Sequence, residues 1–256
     1  MDKHISFNYG YNTEYKSRVA LLKEVGFDGI MPMCESTPDF VKSMEYAQSE
    51  GLVIESIHLP FREIVNDLWL PGEGGEHYVD VMIDGGKVAT KVGVDKLTLH
   101  LSSTPTPPPM SEIGFERLRR IADFYAENNL TLCIENLRRI DYFRAVVDGI
   151  PGTKICYDVG HHNIYYPHSF DMMEYKDRVE IVHLHDNFGD KDEHYLPFEG
   201  NCDWVRIARE LANMPRVKTL TLEVHGSREK DLKERDFLVR AMDASTRIEK
   251  MIAGSK

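Results

Sequence analysis

Short runs rich in β-branched and aliphatic residues alternate along the chain with segments whose apolar positions recur every three or four residues. The β-rich runs fall at 4–9, 29–33, 53–59, 96–101, 131–137, 154–159, 180–185 and 218–225. Between them, Leu118, Ile121, Ala122 and Tyr125 recur at i, i+3, i+4 and i+7, the spacing of one helical face. Trp204, Ile207, Ala208 and Leu211 repeat that spacing, and Leu238, Ala241, Met242, Ser245, Ile248 and Ile252 carry it through the last segment. Eight strands, each followed by a helix, in 256 residues predict an α/β fold, a (β/α)8 barrel forming a single domain over 1–256. A doubly wound open sheet uses the same units. Against it, no Gly-x-Gly-x-x-Gly follows the first strand and no phosphate-binding loop of the Walker type occurs.

Two connections are long, 60–76 and the proline-rich 102–111, and loops that follow strands lie on the catalytic face of such a barrel. The first carries Phe61, Leu68, Trp69 and Leu70. It reads as a lid or a subunit contact, which would make the protein a homo-oligomer, or equally as a satellite core packed on the barrel wall.

Composition narrows the function classes. Hydrophobic residues make up 42% of the chain, enough for a full-sized core, and the formal net charge is −11. Non-specific nucleic-acid binding needs Lys and Arg to neutralise phosphates, so a nucleic-acid partner is not expected. No apolar run reaches the length of a membrane span, and no apolar stretch follows the opening Met-Asp-Lys-His, so no signal peptide is expected. A cytoplasmic protein is the expectation. Cys34, Cys133, Cys156 and Cys202 show neither a Cys-x-x-Cys pair nor metal-type spacing and read as small core residues.

Barrel strands should be apolar, yet polar residues stand at their C-terminal ends. They are His58, His100, Glu135, Asp158, His183 and Glu223, on the third to the eighth strand. A closed barrel points all of these ends at one mouth. Any one alone reads as a satisfied buried group, but several carboxylates buried together without a cation cost several kcal/mol per ion. A divalent metal resolves that charge, and a mixed carboxylate–imidazole set suits Zn²⁺, Mn²⁺, Co²⁺ or Mg²⁺. His161, three residues after Asp158, reads equally as a cap of the next turn, and Asp192 and His194 as part of a solvated charged loop. His185, Asp186 and His225 are weaker candidates at fraying strand ends.

Taken in order, Ile-Glu-Asn at Glu135, Asp-x-x-His at Asp158 and His161, His-Leu-x-Asp at His183, Asp-x-His at Asp192 and the stretch from Pro197 to Trp204 resemble the xylose-isomerase-like barrel superfamily. That superfamily includes sugar isomerases, sugar epimerases and endonuclease IV. The resemblance covers about His58 to His225. It implies one metal held by Glu135, Asp158, His183 and Glu223. It also implies that His58, His100, His161, Asp192 and His194 match the remaining ligands of a three-zinc cluster, so that one to three cations are accommodated. Two departures stand out: Leu-Ser-Ser follows His100 where the endonuclease pattern has Pro-Gly. Gly189 occupies the position, six residues past His183, of the substrate-binding arginine of ketose epimerases.

The chemistry implied is transfer of a proton α to a carbonyl, with Glu135 and Glu223 as the acid–base pair and a cation stabilising the enediolate. The substrate would be a small sugar or polyol, free or phosphorylated, and His161 would bind a hydroxyl. Returning the proton to the same carbon epimerises; returning it to its neighbour isomerises. Two alternatives use the same residues: a zinc-cluster phosphodiesterase of the endonuclease IV type, and a dehydratase or lyase. The phosphodiesterase fits the surface charge poorly, because Arg62 beside His58 is surrounded by Glu63, Asp67, Glu73 and Glu76, and only Arg138 and Arg139 follow Glu135.

Overall fold

A computed structural model describes residues 1–62, 64–226 and 232–255, so Glu63 in the acidic loop lies outside it. In chain order the first half runs β1 (Asp2–Ser6), α1 (Tyr15–Val25), β2 (Gly29–Met31), α2 (Pro38–Ser49), β3 (Val53–Ile54), β4 (Ser56–His58), a 3-10 helix (Val65–Trp69), α3 (Glu73–Lys91), β5 (Lys96–Leu99) and α4 (Glu112–Glu127). The second half runs β6 (Thr131–Glu135), α5 (Ile140–Gly149), β7 (Lys154–Asp158), α6 (Val159–Tyr165), a second 3-10 helix (Met172–Arg178), β8 (Val179–Leu184), α7 (Trp204–Ala212), β9 (Thr219–Leu222) and α8 (Glu234–Ala253).

All strand pairings are parallel, in the order β3-β2-β1-β9-β8-β7-β6-β5-β4. β3 and β4 flank Glu55 and form one stave, so the nine strands among the described residues make the eight expected staves. The lower half of that stave pairs with β2, Gly29 opposite Val53. Its upper half returns to the same neighbour: the His58 amide donates to Pro32 O at 2.9 Å and the Cys34 amide to His58 O at 2.7 Å. The barrel therefore closes, and the open-sheet alternative is excluded.

Local sequence explains where the helices begin. Thr37 and Ser111 accept the amides of Phe40 and Gly114 through their hydroxyls, and Asp203 accepts those of Val205 and Arg206. The inward stripes Leu118–Ile121–Tyr125 and Trp204–Ile207–Ala208–Leu211 are buried against the barrel, with Ala122 at the stripe's half-buried edge.

The loop 60–76 decides between the two readings open for it. Val65, Leu68 and Trp69 are buried as a satellite core under α3 and α4, with the Trp69 indole donating to Leu101 O at 2.8 Å. The buried Arg117 on α4 holds the same stretch, its guanidinium donating to the carbonyls of Asp67, Leu68, Leu70 and Gly72. Leu68 and Trp69 are therefore wall, not lid; Leu70 is 40% exposed, and Phe61 alone of the four reaches the mouth. The four cysteines are buried and unpaired, as expected of core residues. No described helix is long and apolar enough to cross a membrane.

Candidate metal and active site

All nine residues singled out at the strand ends and in the following loops meet at the C-terminal mouth. Glu135, the last residue of β6, is the hub. Its Oε2 lies 2.7 Å from His100 Nε2 and 3.2 Å from His58 Nε2, while its Oε1 lies 3.3 Å from His183 Nδ1 and 3.4 Å from His161 Nδ1. His183 Nδ1 in turn lies 3.0 Å from Glu223 Oε2. The loop after β8 completes the ring, Asp192 approaching His161 Nε2 at 3.2 Å through Oδ2 and His194 Nε2 at 3.2 Å through Oδ1. The cap of the turn after β7 is Asp158 rather than His161. Its Oδ1 caps α6 by accepting the His161 amide at 2.6 Å, and its Oδ2 is left buried without a hydrogen bond.

Electrostatics follow from this crowding. Burial alone would raise the pKa of Glu135, but His100 and His183 hold it well below the carboxylate range. Burial likewise opposes ionisation of Glu223, and His183 again overrides it downward. Burial disfavours a charged imidazole, yet Asp158 and Asp192 pull His161 well above its usual value, and the carboxylates of Glu223 and Glu135 do so for His183. At His194 burial is outweighed by the Asp192 hydrogen bond and the charge of Glu223, which raise it to about 9. His100 goes the other way, lowered by burial despite Glu135. Burial lifts the Cys156 thiol to about 12, so the cysteine nearest the hub stays neutral.

These residues suit a metal on grounds of their own. Ligand atoms of Glu135, Asp158, His183 and Glu223 lie within 4.8 Å of one another, as do those of His58, His100 and Glu135, and those of His185, Asp192 and His194. Glu223 Oε2, His161 Nδ1 and both ring nitrogens of His185 join Asp158 Oδ2 as buried atoms lacking a hydrogen bond of good geometry. Buried polar atoms are normally paired, and a carboxylate–imidazole donor set of this kind is what a divalent cation takes.

Sequence reasoning underrated His185. Its ring is fully buried, 3.1 Å from Asp158 Oδ1 through Nε2, and stacked on His194. The strand alternation that pairs it with His183 was the available signal. Two further residues act on the site from behind. Asn136 accepts the Asp158 amide at 2.8 Å and donates to Asp158 O and to the Tyr166 hydroxyl, tying the end of β6 to the end of β7. Asp186 is no ligand; its carboxylate accepts four donors from its own loop, the amides of Asn187, Phe198 and Cys202 and the Trp204 indole. His225 lies at the edge of the mouth, lining its larger cavity.

Two cavities open over the cluster, both reaching Phe61, His194 and Glu223. One is about 150 Å³ and is bordered by Ser102, Ser103 and Arg138; the other, about 580 Å³, extends over the ends of β1 and β2.

The family model described as a xylose isomerase-like TIM barrel matches residues 19–242, and the chain belongs to that family. An uncharacterized protein of Sinorhizobium fredii, y4fM, is 36% identical over 103 residues, which is 40% of this chain and 33% of that protein. The chain thus spans about a third of the length of this curated relative. Among solved structures, a D-tagatose 3-epimerase-like protein aligns with TM-score 0.77 and 18% identity over 100% of this chain and 98% of its own. An L-ribulose 3-epimerase aligns with TM-score 0.78 and 15% identity over 99% and 95%. At such identities the likeness establishes the fold, and by their names these structural neighbours are sugar epimerases or epimerase-like.

Proposed function

We propose that the chain is a divalent-metal-dependent isomerase or epimerase of a sugar or sugar phosphate, moving a proton α to a carbonyl through an enediolate. The observation that carries this reading is the pair Glu135 and Glu223, one buried and one half-buried carboxylate facing the same nitrogen, Nδ1 of His183, at 3.3 and 3.0 Å. The epimerase neighbours support it. Glu135, Asp158, His183 and Glu223 would hold the cation, which supplies Lewis-acid stabilisation of the charge that develops on the substrate oxygens. Glu223 reaches both cavities, its side chain 18% exposed, and is placed to take the proton. Glu135, enclosed by imidazoles, is its counterpart across His183. His161 and His194 face the smaller cavity, ready to bind substrate hydroxyls. Gly189 adopts φ +86°, which an arginine would reach only with strain; Arg138, packed over Tyr165 at 5.2 Å and bordering the smaller cavity, takes the cationic role at the mouth.

The test is incorporation of solvent deuterium at the carbon next to the carbonyl, followed by NMR over a panel of ketoses and their phosphates with Mn²⁺, Co²⁺, Zn²⁺ or Mg²⁺. Exchange with at least one sugar, slowed about 10²–10⁴-fold by Glu223→Gln, is the expected result. Absence of exchange across the panel sinks the reading.

One observation favours a second reading. The groups His58–His100–Glu135 and His185–Asp192–His194 flank the four-residue set on either side, an arrangement able to hold more than one cation for hydrolysis of a phosphodiester. Two or three tightly held Zn²⁺ per chain by plasma emission, together with nicking of abasic-site DNA, would establish it over the first.

A further inference from the structure

The larger cavity is built for something other than hydroxyl groups. It continues directly from the acid cluster, sharing Glu223 and His194 with the smaller cavity, so what fills it is part of the same substrate. Its volume of about 580 Å³ is that of a pocket for a drug-sized ligand. Away from Glu223, His194 and His225 the lining is Met31, Met33, Pro60, Phe61 and Ile64, with the exposed Arg62 the one charged group among them. Two of the polar groups at the far rim are already engaged: Ser6 donates to Val224 O at 3.4 Å and Asn8 accepts from Arg18 at 3.3 Å. A free sugar carries a hydroxyl on nearly every carbon. Each hydroxyl pressed against methionine and phenylalanine loses water and gains no partner. Methionines, by contrast, adapt their shape to aromatic rings and contact them favourably.

We infer that the substrate is an aryl glycoside whose sugar ring carries a free ketone away from the anomeric carbon, so that the acetal bond to the apolar aglycone leaves the reacting carbonyl open. Its sugar ring lies over Glu223 and the smaller polar cavity, and its aglycone rests on Met31, Met33 and Phe61. This rests on the sugar-isomerase reading above and adds the class of substrate.

Binding tests it without turnover. Calorimetry on the metal-loaded protein would compare phenyl and methyl β-D-glucosides, which differ only in the aglycone. The phenyl compound is expected to bind at least tenfold tighter. Met33→Asn, at a half-buried position, should reduce that preference at least threefold, and Ile64→Asn provides a second variant at an independent point of the wall. Equal affinity within twofold, or a preference untouched by both variants, overturns the inference. So does a wild-type dimer without aryl preference that Met33→Asn converts to monomers in sedimentation, because the wall would then belong to a second copy of the chain. Aryl preference without deuterium exchange into any keto sugar, keto-glycosides included, removes the isomerase reading and with it the ketone, leaving only the aryl subsite; exchange without aryl preference keeps the isomerase reading and overturns this inference.

Discussion

The imidazole of His185 lies flat against that of His194, ring centroids 4.1 Å apart and planes 20° apart. His185 comes from the end of β8 and His194 from the loop that returns toward β9, so the stack fixes that loop over the cluster. It also brings His185 to within 3.7 Å of Asp192 Oδ1. The floor of this arrangement is Gly160, where a Cβ atom would sit 2.0 Å from His185 Cε1.

Gly160→Ala is therefore expected to push His185 off its position and weaken divalent-cation binding about 10–100-fold, the usual effect of disturbing groups that orient ligands. Far-UV circular dichroism should show the fold retained. Calorimetric titration with Mn²⁺ or Zn²⁺ checks this, and an unchanged affinity would show that His185 need not stand where it does.

Cation binding should expel protons. His161 and His183 are raised well above the usual histidine range and His194 to about 9, so each holds its proton more firmly than a free imidazole before a metal arrives. An imidazole must lose its proton to ligate. Titration in PIPES and in HEPES, whose ionisation enthalpies differ, should report at least one proton released per cation. Affinity should rise between pH 6 and 8, and identical heats in both buffers would refute the protonated state.

Asn136 should matter out of proportion to its distance from any substrate. Asn136→Ala leaves the amide and carbonyl of Asp158 unpaired in a buried site, at a cost of about 1–3 kcal/mol for each group so stranded. Urea unfolding of the metal-free protein should show a loss of that order. Metal affinity should fall as well, because Asp158 and Glu135 lose their common strut; a loss of stability alone would limit Asn136 to holding the barrel.

Acid sensitivity has a source remote from the metal-competent cluster. His4 on β1 is buried with neither ring nitrogen hydrogen-bonded, and burial lowers its pKa to about 4 from the 6.5 of an exposed histidine. The unfolded chain thus accepts a proton that the folded chain refuses, and stability is lost as the pH falls through that window. At about 1.4 kcal/mol per unit the full effect is about 3 kcal/mol. Metal-free His4→Leu should lose about 2–3 kcal/mol less than wild type between pH 7 and pH 4.5 in urea unfolding; equal losses would exonerate His4.

The staves were legible because buried parallel strands read as apolar runs, and the polar residue ending each run stands out against them. Strand ends were overrun: the run 4–9 is β1 at Asp2–Ser6, since pairing begins where Asp2 meets Thr219, a partner the local pattern does not reveal. The same limit applies to Asn136. The motif Ile-Glu-Asn exposed the residue, but its partners Asp158 and Tyr166 come from β7 and the end of α6. Trp69 left two readings open for another reason: an aromatic on a long loop suits a cover as well as a wall, and nothing nearby in sequence announces Arg117, which binds that loop to α4.

Asp186 remains. Its buried carboxylate gathers donors from Asn187 to Trp204, and its backbone exchanges hydrogen bonds with Tyr195 at 2.9 and 3.0 Å. Between those anchors, the segment bearing Asp192 forms a tethered cassette, with Asp190 and Lys191 at its exposed tip. Changes at the tip leave the tether intact. This barrel can therefore exchange the residues that greet a substrate while keeping the frame that presents them, which makes its selectivity far easier to remodel than its fold.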